Sequence, residues 1–500
     1  MHRLPHFRRN ELVLGTFLLS TFLAVNLGTA SRSPLIWQDE VMFADPAANL
    51  YFGNGFTTTS WFQSRGTLFA GNSPLYSLCL YPWISVFGFD VVAIRGLNYV
   101  LMVAVGMIGL LALHRLGLVR SPIPRALFLL MILAGDGVTY SYRSGRYDCL
   151  GMLLVAALAL VLSFPHGKLR SVALLLLAAL VPWAGLQLLA YVALGGLLLV
   201  LLRGRLALLD VLMIGAGCAA GLASLFGFFL ENGVWREFVK SVAILSGARQ
   251  PLGHRLVEAA CAPLSEPSSI LVLAALGVVL ISALRRDRVQ LRSPLVIGLL
   301  VGVLVPCLLA LLGKYPRYYA WMAFIPMAGC LAAEFESGRA SPVRKFVIPL
   351  VILACLAGLP ARLAVTCREW TLRDPNPVDR FVAEQVRPTD WVYSEYEAYY
   401  PTKKTAAVVF LPPYAGLTPG MERVTPPLSE AEKNRLDVLI LKPATRDETL
   451  RRFAGRWTMV GQYAAAGDAR SSIAATLGRG SKPYELLVYR RQREAVATAR

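Results

Sequence analysis

Acid is scarce in this sequence. Its 500 residues hold 31 Asp and Glu against 50 Lys and Arg, a formal net charge of +19, and 56% of them are hydrophobic. Metal-ligand spacing is missing too. The eight cysteines form no CxxC and no Cys/His cluster, which excludes a zinc framework. Cys79, Cys218, Cys307, Cys330 and Cys355 fall inside apolar runs as small hydrophobes. Cys261 and Cys367 lie outside them, which leaves a disulfide between these two open. No clear internal repeat is present, which counts against the paired halves of many transporters.

Apolar length is what the chain has in excess, with a mean hydropathy of +0.53. Runs at 11–30, 91–113, 125–141, 149–164, 170–182, 184–202, 206–230, 268–284, 294–312, 318–335 and 344–361 approach the ~20 residues that a helix needs to cross a bilayer. The expectation is a polytopic α-helical membrane protein of about eleven spans, because hydrocarbon leaves backbone polar groups no partner but each other. The first run, about 19 residues, is long for the core of a signal peptide and reads as a retained helix. Residues 74–88, "PLYSLCLYPWISVFG", are short and proline-punctuated, which suits an interfacial helix.

The basic excess invites a nucleic-acid reading, and the loops dispose of it. With the N-terminus in the cytoplasm, the inner segments carry 17 Lys and Arg and the longer outer loops carry 10. That is the asymmetry of a membrane protein with its N-terminus inside and, after eleven spans, its C-terminus outside. Two outer loops are long, 31–75 and 231–267. Beyond residue 361 the composition changes: "DWVYSEYEAYY", "TAAVVFL", "DVLILKP" and "YELLVYRR" read as strands, with helical stretches between them. The chain therefore divides into a membrane part, 1–364, and a C-terminal soluble α/β domain, 365–500, outside the cell or in the periplasm.

Against the shortage of acid, the adjacent carboxylates of "IWQDEVMFADP", Asp39 and Glu40, stand directly after the first span. Arg95 lies near the outer end of an apolar helix, and "YSYRSGRYD" places Arg143, Arg146 and Asp148 at one outer turn. "KYPRYY" places Lys314, Tyr315, Arg317 and Tyr318 at another. Arginine and lysine at a bilayer surface match phosphate, and a nearby carboxylate suits general-base chemistry on a hydroxyl. Each cluster taken alone also reads as snorkelling anchors or an aromatic belt. Together, on one face, they suggest group transfer from a lipid-linked donor.

The order of these features resembles the C-type membrane glycosyltransferases: an acid pair after helix one, then "GNSPLYSLCLYPWISVFG", an arginine early in the next helix, "RSGRYDCLGMLL", and late in the membrane part "RYYAWMAFIPMAG". The resemblance is to the family 39 branch, which holds protein O-mannosyltransferases and bacterial aminoarabinose transferases. It implies an inverting transfer of sugar from a polyprenyl-phosphate donor to an acceptor hydroxyl on a glycan, lipid or protein at the outer face of the plasma membrane. It also implies Asp39 as base, with Glu40 orienting the acceptor or holding Asp39 and Asp148 and Tyr315 as further members of the site. Arg95, Arg143, Arg146, Lys314, Arg317 and Tyr318 are then the donor-phosphate ligands, with no metal or cofactor required. The loops are too short for β-trefoil repeats, and the absence of "WWD" counts against an oligosaccharyltransferase. The rival class is a lipid or glycan transporter without transferase chemistry, and a third is a membrane-anchored binding module.

Overall fold

The computed structural model describes residues 9–245, 251–286, 293–313, 315–417, 428–465 and 484–492. Each expected apolar run is helical. α1 (Arg9–Thr29) leads into the first outer loop, which carries α2 (Gln38–Tyr51) and α3 (Pro74–Phe87). α4 (Val91–Arg115), α5 (Pro122–Ala134), α6 (Asp136–Arg143), α7 (Asp148–Leu162), α8 (Lys168–Ala184), α9 (Gln187–Arg203) and α10 (Leu208–Glu231) follow. The second outer loop folds as α11 (Trp235–Leu245) and α12 (Leu252–Cys261), and the bundle closes with α13 (Pro267–Leu284), α14 (Pro294–Leu311), α15 (Trp321–Glu336), α16 (Arg344–Leu356) and α17 (Leu359–Arg368).

Helix length and composition alone do not reproduce the expected eleven spans. Among the described residues four helices are long and apolar enough to cross a membrane, or up to six if each of two bent pairs counts as one span. Several of the other helices are short: α7 has 15 residues, and α8 and α9 have 17 each. Two runs read as single helices are broken. α5 and α6 meet at 51°, and the helix ending in α16 meets α17 at 42°.

Glycine sets how closely these helices approach. Gly217 and Gly221 of α10 lie against the backbone of α8 at Leu175 and Ala179, where a side chain would collide with carbonyl oxygens. That is the small-xxx-small contact of membrane helices. The two breaks touch in the same way. A Cβ at Gly358, between α16 and α17, would overlap the carbonyl oxygen of Ala134 and lie 2.5 Å from the amide nitrogen of Asp136.

Beyond the helices, α18 (Asn376–Gln385) precedes a five-stranded sheet with α19 (Tyr399–Thr405) set between its first two strands in sequence. The strands are β1 (Trp391–Ser394), β2 (Val408–Phe410), β3 (Val438–Leu441), β4 (Trp457–Ala464) and β5 (Glu485–Arg491), in the order β2-β1-β3-β5-β4. β2, β1 and β3 run parallel, while β5 is antiparallel to β3 and β4 to β5. Tyr393, Phe410, Leu439 and Leu441 bury one core of this unit, and Val378, Val392, Val438 and Val488 another. Tyr396, Tyr399, Tyr400, Val409 and Leu411 pack instead into the core of the helical part. All eight cysteines are free, so the Cys261–Cys367 disulfide left open by the sequence is not formed.

Gly358→Ala is expected to force the two broken helices apart and to cost on the order of 1–3 kcal/mol or more. Gly277→Ala, in α13 with nothing within 4 Å of the added carbon, is the control. Thermal unfolding of both variants in detergent checks this: a clear fall in Tm for Gly358→Ala and little change for Gly277→Ala.

Candidate active site at the outer end of the helices

The start of α4, the α6–α7 turn, the start of α13, the segment after α14 and the start of α17 gather at one end of the bundle, the end that the charge asymmetry assigns to the outer face. Their contacts show it. The amide of Asp136 donates to Ser268 Oγ at 2.9 Å, Ser141 Oγ donates to the carbonyl of Tyr318 at 2.6 Å, and Asn98 Nδ2 donates to the carbonyl of Arg146 at 2.7 Å.

The two acids of the opening motif face different surroundings. Glu40 is completely buried and pairs with Arg95 at 2.5 Å, while the Tyr400 hydroxyl donates to its other oxygen at 2.7 Å. Burial pushes the Glu40 carboxyl up, and Arg95 and Tyr400 pull against that shift. Arg95 spends its remaining contacts on the carbonyls of Ala30 and Pro34. Gly145 completes this wall at φ +65°, where a Cβ would lie 2.6 Å from Glu40 Cγ. Only glycine meets both the left-handed backbone and the close approach.

Asp39, by contrast, keeps 23% of its side chain exposed. Its Oδ2 contacts Arg146, whose Nε donates to the buried Asp148 at 2.8 Å. The Arg146 guanidinium lies 3.6 Å from the centre of the Tyr318 ring. Tyr318 neighbours Tyr140, which Trp37 meets edge-on at 6.1 Å. Trp37 Nε1 donates to the carbonyl of Ser144 and the Tyr76 hydroxyl to that of Gly145. The turn carrying Arg146 is thus held from three sides.

A second charged group adjoins the first. Asp136, wholly buried, accepts from Arg317 at 2.9 Å on one oxygen and from Arg362 at 3.0 Å on the other. Arg317 is 34% exposed, and Arg362, 12% exposed, lies over Tyr140 at 4.9 Å. Arg362 was not among the residues singled out from the sequence. Its only local signal is a lone arginine just past the last apolar run, in "LPARLAV".

Several expected phosphate ligands are placed otherwise. The buried guanidinium of Arg143 bonds to Asn26 at 2.5 Å and to Thr29 and Ser33 at 2.9 Å each, tying α6 to the end of α1. Arg95 is closed off by Glu40. In this geometry neither presents a free edge to a lipid phosphate. Tyr315 packs against Ala259, Ala262 and Ala310. Lys314 lies outside the described residues. Among the described residues no group of three or more His, Cys, Asp or Glu is placed to hold a metal.

The C-terminal unit reaches this site through α2. The Tyr399 hydroxyl donates to Asp45 at 2.8 Å, and Lys403 pairs with Asp45 at 3.0 Å and donates to Asn49 at 2.6 Å. Burial works to raise the Asp45 carboxyl, but Lys403 and the hydroxyls of Thr58 and Tyr399 outweigh it and hold the group below its ordinary range. A depressed folded-state pKa stabilises above the unfolded value and loses that contribution as pH falls through the folded one. Asp45→Asn is therefore expected to lower Tm at pH 7, where it strands a buried Lys403, and to flatten the loss of stability below about pH 4. Thermal melts of both proteins between pH 3 and pH 8 measure it.

No protein-family model and no curated protein sequence matches the chain. Among solved structures it is similar to ArnT from Cupriavidus metallidurans bound to undecaprenyl phosphate, with a TM-score of 0.57, 13% identity, and 96% of this chain and 98% of that one covered. The apo state of the same protein matches at 0.43, with 11% identity over 96% and 98% of the two chains. The Archaeoglobus fulgidus oligosaccharyltransferase in complex with zinc and sulfate matches at 0.44, with 11% identity over 88% and 69%. The first shows the fold, which is that of the C-type membrane glycosyltransferases.

Proposed function

We propose that this chain is an inverting glycosyltransferase that moves a sugar from a polyprenyl-phosphate donor to an acceptor hydroxyl at the outer face of the membrane. The observation that carries the reading is the pairing of a part-exposed carboxylate, Asp39, with two arginines on a neighbouring buried aspartate. The fold and the undecaprenyl phosphate held by the similar structure support the lipid-phosphate half.

In this mechanism the acceptor oxygen attacks C1 of the sugar as its proton passes to Asp39. The bond from C1 to the phosphate oxygen breaks, and polyprenyl phosphate departs with the electron pair. The charge that grows on that oxygen needs donors already in place. Arg317 and Arg362 are the accessible guanidiniums, held by one shared carboxylate that cancels only one of their two charges. Arg146 fixes Asp39 from behind, and Asp148 fixes Arg146. Glu40, Arg95 and Arg143 act as positioning residues: they hold α2 and α6 and do not touch substrate. The transporter reading lacks a comparable support, since the charged groups gather at one end of the helices and not at mid-bilayer.

Sugar transfer from a panel of radiolabelled polyprenyl-phosphate sugars in proteoliposomes tests the proposal. Asp39→Asn is expected to lower turnover at least a hundredfold with folding intact. Arg317→Ala and Arg362→Ala are each expected to weaken use of the donor by about 2–4 kcal/mol of transition-state stabilisation, roughly 30- to 1,000-fold in kcat/KM. Turnover in Asp39→Asn equal to that of the unmodified chain would remove Asp39 from the centre of the mechanism. No transfer from any donor, with acceptor present, would favour a transporter.

A further inference from the structure

The first outer loop and the C-terminal unit enclose a second polar cavity of about 370 Å3, lined among others by Asn49, Asn54, Thr57, Arg65, Lys403 and Lys404. Among the described residues no carboxylate lines it, in a region where basic side chains elsewhere are paired. Lys403 is neutralised from behind by Asp45. No carboxylate forms an ion pair with Arg65 or Lys404 among the described residues, although the Lys404 charge reaches the Asp379 carboxyl. Arg65 is held by stacking, with its guanidinium 4.6 Å from the centre of the Trp391 ring and its backbone amide donating to the Tyr414 hydroxyl at 3.1 Å. A guanidinium fixed through its face keeps its N–H edge for a ligand. The wall is braced as well: Asn49 Nδ2 donates to the carbonyl of Thr57 at 2.7 Å, and Thr57 Oγ1 to that of Asn54 at 3.1 Å.

We propose that this cavity binds an anionic group, phosphate or carboxylate, carried by the acceptor. That the ligand is the acceptor rests on the transferase reading; that the cavity binds an anion does not. The cavity shares α2 with Asp39, and Asn49 follows it by ten residues, about 15 Å along the helix axis. An acceptor bound at both points therefore presents its hydroxyl and its charge to two separate stretches of the same helix. Lys403 links the two ends, since it lines the cavity and also grips Asp45 on the same helix.

Isothermal titration of the full-length chain in nanodiscs decides it, with inorganic pyrophosphate, D-glucuronate and, as a neutral control, D-glucose. Saturable binding of one or both anions is expected, and which of them binds separates phosphate from carboxylate. That binding should weaken at least tenfold in the double variant Arg65→Ala/Lys404→Ala and persist in Arg65→Lys/Lys404→Arg. No saturable binding of either anion overturns the proposal, as does equal binding in the alanine pair. Anion binding that survives the alanine pair and disappears in Arg317→Ala belongs to the donor site and also overturns it. With turnover established, the alanine pair should raise KM for the acceptor about tenfold. If the unmodified chain transfers no sugar, the transferase reading fails and the titration still stands.

Discussion

The buried pair of Glu40 and Arg95 is the constraint on which the outer end of this protein depends. Taking a carboxylate and a guanidinium out of water is costly, and removing either partner alone leaves a charge whose exposure to low dielectric costs about 3–5 kcal/mol. The pair therefore fixes α2 against α4, with Tyr400 and the carbonyls of Ala30 and Pro34 completing the coordination. Successive residues of a helix point about 100° apart. With Glu40 turned inward, its neighbour is turned toward Arg146 and the open side. Two adjacent acids in an acid-poor chain thus stand in different surroundings, one anchoring the helix and one left part-exposed.

Asp136 plays the matching part on the other side. It sits at the first turn after one helix break and takes an arginine from beyond the other break, while the segment after α14 supplies the second. One carboxylate holding two guanidiniums sets their positions while cancelling only one of their two charges. Preorganised positive charge of this kind is what a departing phosphate requires. The glycine contact between the breaks keeps Arg362 and Asp136 at that spacing.

The sequence was informative wherever a local pattern decides the structure. Hydropathy located the helices and proline marked 74–88 as short. β1, β2, β3 and β5 fall within stretches read as strands, but the second half of "DWVYSEYEAYY" is helical and β4 lies outside those stretches. The bends at Gly135 and after Leu356 escaped although local breakers mark both, Gly135-Asp136-Gly137 at one and Gly358-Leu359-Pro360 at the other, because the flanking residues stay apolar. Arg95, Arg143 and Arg317 look alike in sequence, each an arginine near the outer end of a helix. What separates them is the supply of acceptors from distant elements: Asn26, Thr29 and Ser33 for Arg143, Glu40 for Arg95, and half-open solvent for Arg317. Arg362 was overlooked for the same reason, since its partner lies 226 positions away. The docking of Tyr399, Tyr400 and Lys403 onto α2 leaves no periodic trace in either segment.

That docking also fixes the order in which the molecule is completed. Thr59 exchanges hydrogen bonds with Val409 and Leu411, so the outer edge of β2 is closed by a segment made 350 residues earlier. While the chain is being synthesised and inserted, α2 already carries Glu40 and Asp45, but the tyrosines and the lysine that satisfy them do not yet exist. The acid-bearing helix must wait, incompletely partnered, until the end of the chain has been made. Contacts of such sequence separation form late. A truncation between residues 369 and 398 would leave α1 to α17 without the side chains that complete the coordination of Glu40 and Asp45.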